Sequence, residues 1–450
     1  MRRAITASMG LMAAACAGLP DTTPINHQLS FAPTPVIHDM GIEGDAIALA
    51  FSGGGARAAS FSLGVLLQLR EMKDTGGRPL LDRVTLITAV SGGAITAAYF
   101  GQAGAEGLDN FRNAALDHDW QGQLHTSWMS PQNWDRLLQG GLNGPDKLSN
   151  WLDKNIFGGE RMRDLNAKPQ IIINATDLYT GAPFAFAQPW FEAICSDLGS
   201  VRIADAVAAS MSVPIAFRPV VVQAFPEDCP LALPGWVDRA LVNRHAPMLL
   251  KETARSFRFF RDTNRMSYLH LTDGGVADNF GVSSFVTLNA AGAGPHAPFS
   301  PSDAVKLRRF TFVIVNSERP VDGDWAREQG GPDGPELIAT ALSIAVNAPK
   351  RAAADAFEGF LDDWRDDLVT WRCGLKPEEA AALGAGPGWT CDNVEVVFDI
   401  ISFGDLGYAK AARLGAAETA VSLPADLIDD LIAGGRAATA WNDALIALTK

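Results

Sequence analysis

Ile47-Ala48-Leu49-Ala50-Phe51 runs straight into Ser52-Gly53-Gly54-Gly55-Ala56-Arg57-Ala58, and the same change of texture recurs where Val84 to Val90 gives way to Ser91-Gly92-Gly93. The first run has no polar alternation, as expected of a strand buried on both faces. The glycines make a tight turn, and Phe61, Val65, Leu66 and Leu69 then follow at helical spacing. After Gly93 a second, small-residue helix continues through Ala97, Ala98 and Tyr99. Two consecutive strand-turn-helix units predict an α/β fold whose parallel-sheet core is covered by helices on both faces.

Working outward, further strands are expected at Ile171 to Ala175, Val220 to Ala224, Tyr268 to Thr272 and Phe312 to Asn316, where the core sheet should end. Val394 to Phe403 reads as a late addition. The turn-punctuated stretch holding Trp120, Trp128, Trp134 and Trp151 reads as a helical insertion, and Ala290 to Ser302 and Val321 to Glu336 as surface loops. The expected organisation is an export signal (1–16), a Pro-rich tether (17–45), the main α/β domain (46–320) and a mostly helical C-terminal extension packed on the core (321–450).

The 450 residues are 47% hydrophobic and 20% charged, enough to bury a large core, and carry a net charge of −14. That charge leaves no basic footprint for nucleic acid and disfavours electrostatic adhesion to anionic lipid as the main membrane contact. At the N-terminus, Arg2 and Arg3 precede an apolar run from Ala4 to Ala15, in the layout of an export signal. Ala13-Ala14-Ala15-Cys16 resembles a bacterial lipobox, with Ala13 where Leu is usual, which would make Cys16 a lipidation site. The expectation is an exported protein: an outer-membrane-anchored lipoprotein, or a periplasmic or secreted one after plain signal cleavage. A buried N-terminal helix is the other reading, opposed by the prolines from Pro20 to Pro35.

Four further cysteines fall in two neighbourhoods, Cys195 with Cys229 and Cys373 with Cys391, and suggest two disulfides in an oxidising compartment. Four buried thiols are the alternative. No Cys-x-x-Cys or His-x-x-x-His spacing indicates a metal site, and no cofactor is expected.

Three motifs carry candidate chemistry. The turn Ser52 to Ala58 aims several backbone N–H groups at one spot, with a helix N-terminus behind them, and suits a developing negative charge. Alone it is ambiguous, since Gly53-x-Gly55-x-x-Ala58 also fits a dinucleotide fingerprint. That reading requires an acidic residue at the end of the next strand, where Val90 and Ser91 stand instead. Ala89-Val90-Ser91-Gly92-Gly93 matches a nucleophile elbow at every position but the first, Ala89 replacing glycine. By itself such a serine is more often a helix N-cap. The third motif, Thr272-Asp273-Gly274-Gly275 followed by Asp278-Asn279-Phe280-Gly281, is by itself an ordinary strand-end turn.

In this order, the three motifs resemble those of the patatin-like phospholipases, from about Ala46 to Asn316. Asn174-Ala175-Thr176-Asp177 and Ala209-Ser210-Met211-Ser212-Val213-Pro214 look like lesser segments of that family, while Ala58 departs from its usual glycine. The resemblance implies a patatin-like α/β core, a Ser91–Asp273 dyad, and an oxyanion turn formed by Gly53, Gly54, Gly55 and Arg57. It also implies a phospholipid or related lipid substrate met at a membrane surface, and hydrolysis without calcium.

A dyad accounts for the lack of a well-placed histidine. His270 lies inside a strand and reads as a core or supporting residue, and His296 lies in a Gly/Pro loop and reads as solvated. Arg57 has three readings: it fixes the oxyanion turn, meets a lipid phosphate, or forms a surface salt bridge. Trp128 and Trp134 are candidates to face lipid, whereas Trp120 and Trp151 fit a small satellite core. A non-catalytic lipid-binding protein on the same fold is the competing function, opposed by the presence of both Ser91 and Asp273.

Overall fold

The computed structural model describes residues 23–30, 39–118, 120, 141, 143–227, 229–292, 294–318, 324–327 and 329–450. Cys16, Trp128 and Trp134 lie outside these residues. The first strand, β1 (Asp45–Phe51), leads through the glycine turn to helix α1 (Gly55–Glu71). β2 (Val84–Val90) leads to α2 (Gly92–Gly107). The chain then forms β3 (Gln170–Asp177), β4 (Pro183–Phe186), helix α3 (Ile203–Ser210), β5 (Val220–Gln223) and β6 (Tyr268–Asp273). Helix α4 (Ser283–Ala291), β7 (Arg309–Asn316), the long helix α5 (Gly334–Cys373), β8 (Glu395–Ser402) and α6 (Ala425–Ala440) complete the core.

The eight strands form one sheet in the order β5-β6-β3-β2-β1-β7-β8, with β4 also on β3. β1 pairs in parallel with β2 and β7, β2 with β3, and β7 with β8. Every residue from Ala46 to Phe51 is fully buried, which is why this strand carries no polar alternation. Since β2 lies on one side of β1 and β7 on the other, the crevice beyond their C-terminal ends is a topological switch point, the usual ligand position in such sheets.

The sheet departs from the sequence reading in two places, and the stretch Ala290 to Ser302, expected as a surface loop, instead buries Ala297, Phe299 and Ser300. Tyr268 to Asp273 runs antiparallel to β3, Ala175 pairing with Asp273, so the sheet is mostly rather than wholly parallel. Nor does it end near Asn316: β8 extends it in full register with β7, from Arg309↔Glu395 to Asn316↔Ser402. The C-terminal extension also supplies α6, which crosses α1 at two glycines. A Cβ on Gly435 would stand 2.2 Å from the Phe61 carbonyl oxygen, and one on Gly64 2.2 Å from that of Ile432.

On β7, Phe310 and Phe312 meet Phe285 of α4 at ring distances of 5.7 and 5.6 Å. From α5, Phe357 packs 4.6 Å from Phe312, and Trp364 5.3 Å from Phe310. Each buried aromatic of this kind contributes about 1.5–3 kcal/mol. Trp120 and Trp151 are buried with ring centroids 3.9 Å apart, and both join the main hydrophobic core rather than the small satellite core expected of them. Cys195 is bonded to Cys229 and Cys373 to Cys391, with Cα atoms 5.6 and 4.8 Å apart.

The crossing of α1 and α6 generates a paired expectation. Gly435→Ala forces a methyl into the Phe61 backbone and should destabilise the protein by about 1–3 kcal/mol. Gly359→Ala, on an exposed part of α5 with nothing near its missing Cβ, should be neutral or stabilising by up to about 1 kcal/mol. Urea unfolding of the two variants checks this; equal effects would contradict the packing at Gly435.

Candidate active site

Ser91 occupies the turn between β2 and α2 with φ 52° and ψ −123°, a left-handed backbone that non-glycine residues rarely adopt and that costs about 1–3 kcal/mol. Its surroundings hold it there. The Ser91 N–H donates to Ser210 Oγ at 2.7 Å, and that hydroxyl donates onward to the Asn174 carbonyl at 2.5 Å. Glycine is required on the helix side of the elbow. A Cβ on Gly92 would lie 1.9 Å from the Gly55 carbonyl oxygen, and one on Gly93 2.8 Å from both the Phe51 Cβ and the Ser52 carbonyl oxygen. Ala89, where the motif usually has glycine, is fully buried in β2, so its methyl is accommodated as core.

Asp273 ends β6. Its N–H donates to the Ser212 carbonyl at 3.0 Å, and its own carbonyl accepts from Thr176 Oγ1 at 2.9 Å. Burial pushes the Asp273 carboxyl up to about 6, while hydrogen bonds from the Gly275 N–H, at 2.8 Å, and more weakly from the Ser91 side chain pull it down. Gly274 sits against the Asn174 carbonyl, 2.4 Å from where its Cβ would be, so β3 braces this turn as well as the Ser91 elbow.

The glycine turn stands over Ser91. Gly54 and Gly55 have φ of 148° and 60°, and the N–H groups of Gly53, Gly54 and Gly55 have no partner among the described residues. The Ala56 N–H, by contrast, is taken by the Ala420 carbonyl at 2.8 Å. The N-termini of α1 and α2 therefore converge on one point, each adding partial positive charge. Ser317, just past β7, fixes the turn: its N–H donates to Ser52 Oγ at 2.9 Å and its hydroxyl to the Gly53 carbonyl at 3.2 Å.

Arg57 is buried and donates to the carbonyls of Ser317, at 2.8 Å, and Ala417, at 2.5 Å, and to Thr419 Oγ1 at 3.2 Å. This corrects the surface salt-bridge reading and favours a role in fixing the turn. Both histidine readings also change. His270 is exposed on β6 rather than part of the core, and His296 is buried, its Nδ1 2.8 Å from the Phe299 carbonyl and its ring 4.6 Å from Trp371. A cavity of about 390 Å³ lined by Arg161, Arg202, Asp146 and Asp205 lies apart from Ser91. Arg202 is already spent there on Asp205 and Asp153, at 2.7 and 3.1 Å.

Sequence reasoning singled out the segments containing Ser210 and Thr176 without giving these residues a task. It missed Ser317 and the 417–420 strap, which carry no local motif.

Fold and site together define an α/β protein in which a strained strand-to-helix serine, a buried aspartate and a glycine turn with free N–H groups converge. Within that class, the chain belongs to the patatin-like phospholipase family, whose sequence model (Patatin-like phospholipase) matches residues 49–286. Similar solved structures include human GIVD cytosolic phospholipase A2, at 13% identity and a TM-score of 0.31, covering 68% of this chain and 48% of that one. Its complex with methyl gamma-linolenyl fluorophosphonate matches at 14% and 0.37, covering 90% and 60%, and the complex that also holds terbium chloride at 14% and 0.37, covering 90% and 59%. The chain thus spans 48% to 60% of those proteins. No curated protein sequence matches it.

The raised Asp273 carboxyl has a consequence for stability. Its folded value exceeds the unfolded one, so its contribution is fully favourable below about 3.8 and is lost as pH rises through about 6. At pH 8 the ionised, buried carboxylate costs about 3 kcal/mol. Asp273→Asn should therefore stabilise the protein by up to that amount at pH 8, the gain shrinking towards pH 4. Urea unfolding across this range checks it, and a variant less stable than wild type at pH 8 would contradict the desolvation of Asp273.

Proposed function

We propose that this protein is a lipid acyl hydrolase of phospholipase A type, which cleaves carboxylic ester bonds through a Ser91–Asp273 dyad and an acyl-enzyme. The observation that carries this reading is the buried Asp273 carboxylate interacting with the Ser91 side chain beneath a turn whose N–H groups have no partner among the described residues. A carboxylate with the usual value of about 3.9 is a poor base; one raised to about 6 is better matched to accepting the serine proton while remaining ionised at neutral pH. Ser91 Oγ attacks the ester carbonyl as Asp273 takes its proton, and the N–H groups of Gly53 to Gly55 receive the oxyanion charge. The proton then passes to the departing alcohol; water, deprotonated by Asp273, attacks the acyl carbon, and Asp273 returns that proton to Ser91 Oγ as the carboxylic acid leaves. Arg57 acts indirectly, by tying the turn to Ser317 and the 417–419 strap.

The partner surface in this reading is a lipid layer. Val213 and Ile215 follow Ser212, whose carbonyl holds the Asp273 N–H, and Val276 lies three residues after Asp273; all three side chains are exposed. Ile215, three residues after Ser212, has φ 77°, a strained conformation for a β-branched residue. An acidic protein with aliphatic groups beside its site suits a zwitterionic surface better than an anionic one. Export, with Cys16 as the lipid-modified residue of an outer-membrane lipoprotein or with simple cleavage into the periplasm or beyond, is part of the same proposal, and the two disulfides fit it.

Ser91→Ala and Asp273→Asn should each lower ester turnover by about 10³-fold or more, because the pair acts as a unit. In the wild type, kcat/KM should fall on the acid side with an apparent pKa of about 6. More than a tenth of wild-type turnover in folded Asp273→Asn would refute the dyad. For the surface, Ile215→Ser with Val276→Ser should weaken co-sedimentation of a Ser91→Ala protein with phosphatidylcholine vesicles. The same pair in the active protein should leave short soluble-ester hydrolysis within about threefold. Unchanged vesicle binding would move the lipid contact elsewhere.

A further inference from the structure

Asn279 belongs to the stretch Asp278-Asn279-Phe280-Gly281, to which the proposed mechanism gives no task. Its Oδ1 lies 2.6 Å from where a Cβ would stand on Gly53, a position itself 3.2 Å from the Ser91 Cβ. The same oxygen lies 2.6 Å from a Cβ position on Gly275, which is 3.0 Å from Asp273 Oδ1. The Asn279 amide thus fills the methyl-sized gaps left by two glycines, one beside the serine and one beside the aspartate. Either gap filled by a side chain would expel it.

The turn is built to hold this side chain. The Asp278 N–H donates to the Gly274 carbonyl at 3.0 Å, and the buried Asp278 carboxylate accepts from the N–H groups of Phe280, Gly281 and Ser283 at 3.1, 2.9 and 2.7 Å. Asn279, between these anchored neighbours, is only half-buried, and its amide makes no hydrogen bond with any described residue. Its oxygen rests against glycine α-carbons, whose C–H groups favour an oxygen over an N–H. The N–H2 is the amide's donating half, and it has no hydrogen-bond partner among the described residues.

We propose that the Asn279 side-chain amide is a further catalytic donor, giving a hydrogen bond to the carbonyl oxygen of the bound ester as it takes up charge, alongside the glycine-turn N–H groups. The inference rests on the hydrolase reading. A neutral amide also suits the position electrostatically, since a carboxylate there would stand close to Asp273 and oppose its ionisation.

The test uses the full chain with p-nitrophenyl butyrate and compares wild type, Asn279→Asp and Asn279→Leu. Asp is isosteric but, when ionised, cannot donate; Leu has similar bulk and no polar group. Both should lower kcat by about 100-fold with KM within about threefold, the scale of one lost oxyanion donor. In Asn279→Asp the acid limb of kcat/KM should also move to higher pH. A folded Asn279→Leu, or Asn279→Asp, with kcat within threefold of wild type would overturn the inference while leaving the hydrolase reading intact. Should the Leu variant fail to fold, the isosteric Asp variant decides alone. A wild type that hydrolyses no ester and takes no fluorophosphonate at Ser91 would overturn the hydrolase reading and this inference with it.

Discussion

The site depends on one close approach of backbones: the Gly55 carbonyl lies against the α-carbon of Gly92, so close that a methyl there would stand 1.9 Å from the oxygen. Adjacent parallel strands run about 4.8 Å apart, and the turns leaving β1 and β2 can meet only where neither carries a side chain. That contact sets the glycine turn over Ser91 and brings two helix N-termini to one point. The strained Ser91 backbone is held by the hydrogen bonds through Ser210 to Asn174 and by the close packing at Gly92.

The same economy of side chains governs the aspartate side. Gly274 and Gly275 let Asp273 sit buried against β3, with one N–H and one hydroxyl to temper its desolvation. Stability and reactivity are opposed here. The burial that raises Asp273 to about 6 is unfavourable to the folded state at neutral pH, and it is what makes the carboxylate a usable base. The fold carries that cost on a sheet whose central strand is wholly buried and on an aromatic layer spanning β7, α4 and α5.

The order of the α/β core and the three motifs was legible in the sequence because each rests on local chemistry: apolar runs at Ile47 and Val84, and glycines where backbones must meet. Strand direction was not. Tyr268 to Asp273 reads like any other strand, and its antiparallel pairing with β3 depends on a connection of some ninety residues that no local pattern encodes. The contribution of the tail was equally hidden. Glu395 to Ser402 becomes an edge strand, and the 417–420 segment reaches back more than 350 residues to hold Arg57 and the Ala56 N–H, with no periodicity to announce it. Arg57 was ambiguous for that reason, since its acceptors are mostly backbone carbonyls that any sequence supplies. His296 went unread as a core residue because its partners, the Phe299 carbonyl and Trp371, come from its own loop and from distant α5.

The central claim is that Ser91 is a nucleophile activated by Asp273. Peptide mapping after brief exposure of the wild type and of Asp273→Asn to a fluorophosphonate tests it most directly. The account predicts a single adduct, on the Ser91 peptide of the wild type, with labelling of the variant slowed by orders of magnitude. An adduct on another residue, or equally fast labelling of Ser91 in both proteins, would contradict it.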